Sequence, residues 1–331
     1  MATSVTSGTY TVSSGVIDTG DYVASSGLIS VSDGGEVIST LAVGGGQLEG
    51  EGLFLDTVVS NGGLELVSSG GSNLFAAISA GGTLEIQSGG FDNGVTVNNG
   101  GQEIVFGGQA IGTIVTTGGI ERVSAGASVS GSVLSGGSEN VFAGGSASGT
   151  VVDANGFELV SGGTVNGVIV NAGGEMFVHD GAQANSTTVS LGGAMLVLSG
   201  ATVNGATLDG GFMVIQSGGL AGTSLFTISS GTLVLDASQN FSGTVAGLAS
   251  SGVQNVDLAD IAFGSSTHVV SYTSNGSNGG TVVITDGTNT AQLNVLGAYT
   301  VGSFKLSNDG TGGTNVTDPP VSSGSGVAPP H

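Results

Sequence analysis

The chain has 331 residues, with 66 glycines, 4 prolines and no cysteine or tryptophan, and its 24 acidic residues face only 2 Lys or Arg, for a formal charge of −22. This inventory excludes disulfides, thiolate metal sites and cysteine nucleophiles, and it leaves nucleic acid no cluster of basic residues to bind. Collagen is excluded because glycine follows no every-third-residue rule, membrane insertion because no apolar run nears the ~20 residues of a span, and disorder because 38% of residues are hydrophobic and only 8% charged.

From the start, MATSVTSGTYTVSSG offers neither a basic segment nor an apolar one, so no ordinary secretory signal is expected there. Residues 1–61 read as an N-terminal cap with irregular coils. TYTVSSG at 9–15, DYVASSG at 21–27, LISVSDGG at 28–35 and TLAVGGG at 40–46 alternate short strands with corners at uneven spacing.

Residues 62–235 are a regular repeat. Val67, Ile86, Val105, Val123, Val141, Val160, Val178, Val197 and Ile215 recur every 18 or 19 residues. A second column keeps the same beat at Val59, Ile78, Val97, Val115, Val133, Val152, Val170 and Val189. Runs this short and rich in β-branched residues are strands, and the glycine pairs between them supply the positive φ angles of sharp corners. A period near 20 residues built this way predicts an all-β parallel β-solenoid, one coil per repeat with two strands per coil. About a dozen coils at a ~4.8 Å spacing give a rod on the order of 60 Å long.

Glu103, Glu121, Glu139 and Glu158 occupy one position of successive coils, with Glu65 further up the same column. Carboxylates stacked one strand apart repel by roughly 0.9 kcal/mol per pair even in water, which a bound cation such as Ca2+ would relieve. The plainer expectation is a solvated ladder whose side chains splay apart. The column continues as Met176, Met195 and Met213, and residues two apart on a strand share a face, which favours the side of the inward valines, whereas a local bulge or corner would turn the Glu residues out; the sequence alone leaves both faces open.

Residues 236–317 read as a C-terminal β cap or small β domain, with Tyr272 and Tyr299 in the alternating runs THVVSYTS and LGAYTVGSFKLS. Such a cap would shield strand edges at an open solenoid end. Within it, SNDGTGGT at 307–314 offers Asp309 and Asn308 to a calcium ion, or forms an ordinary glycine-rich turn. His179, His268 and His331 fall in separate regions and suggest no shared metal site. Residues 318–331 have the Pro, Ser and Gly of a linker tail. No catalytic residue and no cofactor other than Ca2+ is indicated.

The units GGQEIVFGGQAIGTIV at 100–115 and GGSENVFAGGSASGTVV at 136–152 resemble the passenger repeats of the diffuse-adherence class of autotransporter adhesins, over about residues 30–235. The resemblance implies a right-handed parallel β-helix at a bacterial cell surface, a role in adhesion, aggregation or biofilm, and Ser or Thr residues that in some members carry heptose. NVLGAYTVGSFKLSNDGTGGTNV at 294–316 is similar to the segment preceding hedgehog/intein-type domains in bacterial surface proteins built from the same repeats. That second resemblance implies a chain ending at His331 that is the processed or truncated part of a longer protein.

Two functions follow from these readings. One is a non-catalytic extracellular rod that works through a repetitive acidic face, self-associates or stacks into filaments, or binds a cell-surface or glycan partner. The other is a carbohydrate-active β-helix, a lyase or hydrolase with paired carboxylates on one face. Regular repeats without long loops, and the near absence of Arg and Lys, favour the first.

Overall fold

The computed structural model describes residues 3–222, 225–248 and 254–318. They form a parallel β-solenoid of about 13 turns, with no α-helix among them. Each coil has three strands, not two. One coil runs through Leu64–Val67, Ser72–Leu74 and Ala77–Ile78, and the next through Thr83–Ile86, Phe91–Asn93 and Thr96–Val97. The coils pair in parallel and in register: Leu64 with Thr83, Val67 with Ile86, Ser72 with Phe91 and Ala77 with Thr96. The three sets of strands make three sheet faces around a narrow interior.

The additional corner is made by a single residue in the left-handed region between the second and third strands. Glycine holds that place at Gly94, Gly112, Gly131, Gly149 and Gly167, but Asp56, Phe75 and Ser186 hold it in other coils at φ of 51°, 62° and 54°. Without a glycine pair, the run on either side reads in the sequence as one strand.

The paired glycines mark the corner ahead of the first strand, and each partner has its own reason. Gly81 sits at φ 83°, and a Cβ on Gly82 would lie 2.2 Å from the carbonyl oxygen of Val59 in the coil beneath. The first glycine supplies a conformation and the second supplies room. The corners also bond to one another, Gly62 N–H donating to Gly81 O at 3.1 Å and Gly81 N–H to Gly100 O at 2.7 Å.

Both β-branched columns point inward. Val67 through Val197 are fully buried and Ile215 nearly so. The second column needs one correction: Leu134, not Val133, is its inward member, stacked between Val115 and Val152, while Val133 pairs with Ile114 and Val151 on the outside. Two adjacent apolar residues in coils of alternating 18 and 19 residues leave the face undecided until the register is seen.

The stacking begins at Ser4–Val12, which lies parallel to Tyr22–Val31, and continues to Gln254–Leu258, parallel to Leu225–Leu235. Beyond it the chain reverses direction. His268–Ser274, Gly279–Thr285 and Thr290–Leu296 form an antiparallel meander, and the last of these joins the solenoid beside Thr244–Ala246. Lys305–Asn308 and Thr314–Thr317 form a hairpin whose second strand runs antiparallel to Gln254–Leu258. The last coil therefore offers fewer free edges to another chain. Tyr272, Tyr299 and Phe304 pack together with ring centroids 5.3–6.3 Å apart, and the Tyr299 hydroxyl donates to Leu248 O at 2.5 Å. Tyr299 lies in the connection after Thr290–Leu296 rather than in a strand. Of the linker tail, only Asp318 is among the described residues.

Candidate functional site

The glutamate column is inside the rod. Glu103, Glu121, Glu139 and Glu158 pair in direct register, two residues before the inward valines, and they and Glu65 are all 0% exposed. A solvated ladder of splayed carboxylates is thus replaced by a buried file. Strand alternation leaves no other outcome: turning Glu121 out would turn Val123 out with it.

The other two faces contribute polar groups to the same interior. Asn73 and Asp92 are stacked neighbours on the second face, fully buried, while Thr57, Thr113, Ser132 and Thr150 come from the corner just before the third strand. Thr57 Oγ1 donates to Glu65 Oε2 at 2.5 Å, and Thr150 Oγ1 to Glu139 Oε1 at 3.2 Å. No hydrogen bond of ordinary geometry reaches the carboxylate oxygens of Asp92, Glu103, Glu121 and Glu158 or the side-chain amide of Asn73. The hydroxyls of Thr113, beside Glu103, and Ser132, beside Glu121 and Glu139, lie close enough to favour the charged form of those acids. None of these companions stands out in the sequence alone. Their one signal is a polar residue where neighbouring coils carry Ala or Val.

Burial drives the acidity of these groups. Loss of hydration pushes Glu65 and Asp92 up to about 7 and Glu139 and Glu158 up to about 8. Glu103 and Glu121 rise well above the usual carboxylate range, first through burial and then through the adjacent charges of Asp92 for Glu103 and of Glu139 and Glu103 for Glu121. Neighbouring carboxyls contact one another directly: Asp92 with Glu103, Glu121 with Glu139, and Glu139 with Glu158. Two carboxylates in contact have no proton between them, but one carboxylic acid beside one carboxylate has a donor and an acceptor. Among the described residues, no group of three or more His, Cys, Asp or Glu side chains is arranged to hold a metal ion.

Outside, the rod is not uniformly acidic. Asp33, Glu36, Glu49 and Glu51 line two adjoining open grooves near the N-terminal end. Further along, the first face carries a half-buried apolar strip of Leu159, Phe177, Leu196 and Val214 in one outward column, with Phe157 and the exposed Phe212 in the next, separated there by Glu175 and Ala194. Phe157 and Phe177 meet edge to face at 5.1 Å. Ser128, Ser146 and Thr164 form an outward hydroxyl column on the second face, beside Ser130 and Ser148.

The remaining candidates lie apart. Asp309 is in an exposed turn where its Oδ1 accepts from the N–H groups of Thr311, Gly312 and Gly313 at 2.7–2.9 Å. Those bonds, with one from the Thr311 hydroxyl, favour the carboxylate and hold its pKa below the ordinary value against the opposing effect of burial. Asn308 caps the same turn, accepting from Gly310 N–H at 2.6 Å. His179 pairs with the adjacent Asp180 at 2.7 Å, and His268 contacts Ser266 O at 2.8 Å. His331 lies outside the described residues.

No family model matches the chain, and no curated protein does. Among solved structures it is similar to the crystal structure of a TibC-catalysed, hyper-glycosylated fragment of TibA spanning residues 55–350. The two chains are 30% identical with a TM-score of 0.67, over 74% of this chain and 92% of the fragment.

Proposed function

Because this chain belongs to the autotransporter-adhesin type of β-solenoid that the TibA fragment represents, we propose that it is a non-catalytic rod at a bacterial surface, serving adhesion or aggregation. The observation that carries this reading is the uninterrupted solenoid itself. Its corners are a few residues long, among the described residues no loop walls a cleft, and successive coils present the same short outward columns. Such a surface suits many weak contacts spread along a length.

The rival reading, a carbohydrate-active β-helix, needs carboxyl groups that touch a polysaccharide. The stacked glutamates are wholly enclosed, so they offer a sugar neither an acid nor a nucleophile. The working surface in the adhesive reading is the apolar strip around Phe157, Phe177 and Phe212, together with the hydroxyl columns at Ser128, Ser146 and Thr164. The sugars on the TibA fragment support reading those outward hydroxyls as glycan acceptors. Intact-mass measurement after co-expression with a TibC-type transferase tests this, with added sugar on the outward serines as the expected result.

Deleting coils from a surface-displayed rod tests the adhesive reading. Removal of whole coils should reduce cell–cell or cell–surface attachment in proportion to the length removed, while single carboxylate substitutions leave it unchanged. Loss of one discrete activity on a single substitution would replace this reading with the enzymatic one.

A further inference from the structure

The interior carboxyls have no role in adhesion, and their arrangement asks for one. Six acids from two sets of strands, Glu65, Asp92, Glu103, Glu121, Glu139 and Glu158, lie in one enclosed interior with no counter-charge, the buried Leu84 standing between Glu65 and Glu103 in the glutamate column. The groups facing them are Thr57, Thr113, Ser132 and Thr150 from the third face and Asn73 from the second; the other inward positions there are Ala76, Val95, Ala110, Val129 and Ala147. No Lys, Arg or His among the described residues points inward. Arg122 stands one residue from Glu121 and so on the opposite side of its strand, and His179 likewise neighbours the inward Val178. The file ends in apolar side chains, Leu48 and Phe54 at one end and Met176 at the other.

Bare carboxylates in that space would repel across each contact without a cation to answer them, and dry burial of a charge is costly. The unpartnered oxygens of Asp92, Glu103, Glu121 and Glu158 are only acceptors while ionised, and they call for a hydrogen between neighbouring carboxyls. A proton on alternate carboxyls supplies it, each acid donating to the next carboxyl in the stack.

We propose that this file is a proton-binding site that locks the middle of the rod, so that the solenoid is held together by protons and loosens in mild alkali. The reading is independent of the adhesive function. Its sign follows from linkage. In the unfolded chain the glutamates titrate near 4.5 and Asp92 near 3.8, and in the folded chain they keep their protons to higher pH. Stability is therefore full below about pH 4.5, declines as pH rises through the window up to about 8, and is lost above it.

The test compares urea unfolding of the full chain with that of a variant carrying Glu103→Met, Glu121→Met, Glu139→Met and Glu158→Met, the residue that coils at 176, 195 and 213 already use. Within the window, the wild-type folding constant should fall by up to about ten-fold per pH unit for each proton held. The variant keeps every exterior charge and should lose most of that slope. A wild-type stability that is flat or rising across the window overturns the proposal, as does an unchanged slope in the variant. If the variant fails to fold, protons released on unfolding wild type in unbuffered neutral solution decide the matter: several per chain support the proposal, and none overturns it. Saturable binding of CaCl2 that restores stability in alkali, without proton release on unfolding, would make the file a cation site and overturn it as well.

Discussion

Coils built around Glu103 to Glu158 and coils built around Met176 to Met213 share one backbone, one register and one inward column, yet they solve the interior in opposite ways. The methionine coils are apolar inside apart from the Thr187 hydroxyl, and they carry Phe177, Leu196, Phe212 and Val214 outside beside the exposed Glu175. The glutamate coils hide acids inside and show a mixed exterior, Gln102, Arg122, Ser138 and Asn140 with Ile104, Ile120, Phe157 and Leu159. Main-chain stacking and the flanking valines evidently suffice to set the coil, so one inward position is free to carry chemistry. The formal charge of −22 also overstates the exterior, since six of the counted acids lie in the interior file.

Exchanging the two chemistries gives the largest expected effect. Met176→Glu with Met195→Glu would lengthen the file, leaving urea stability near wild type in acid. Toward pH 8 it would steepen the loss by up to about ten-fold in the folding constant per pH unit for each added proton. Met195→Ala should instead cost about 2–5 kcal/mol at every pH, because it leaves a cavity and titrates nothing; urea midpoints at two pH values separate the cases. Thr57→Val removes the hydroxyl that donates to Glu65 and should cost about 1–3 kcal/mol. That loss should grow above neutrality, where the bond favours the charged carboxylate, and NMR should show Glu65 titrating higher still than about 7. Smallest of all, Phe177→Ala should lose about 0.5–1.5 kcal/mol of edge-to-face contact with Phe157 beyond the area exposed, with no pH dependence.

Much of this architecture is legible in the residues. The β-branched columns and paired glycines are enough to predict coils, their direction and the inward valines, because a two-residue alternation and a fixed period permit few other arrangements. The third strand is not legible, since its corner is turned by Asp56 or Phe75 in some coils rather than by a glycine pair. Val133 and Leu134 show the same limit at single-residue scale. The glutamates are legible as a column, and the i, i+2 rule assigns them to the valine side. A general expectation that carboxylates seek water points the other way, and the register overrides it. Asn73 and Asp92 stay hidden because their strand is only three residues long and its other inward members are small or apolar.

The central claim is that the buried glutamates carry protons in the folded rod, and the most direct measurement is a 13C NMR titration of glutamate-labelled protein through the folded range. Carboxyl resonances that keep their protonated shifts past pH 4.5 and titrate near 7 to 8, with those near 8 lost when Glu139 and Glu158 become methionine and the Glu65 resonance near 7 retained, are the predicted result. Glutamates that all titrate near 4.5 in the folded chain would contradict it.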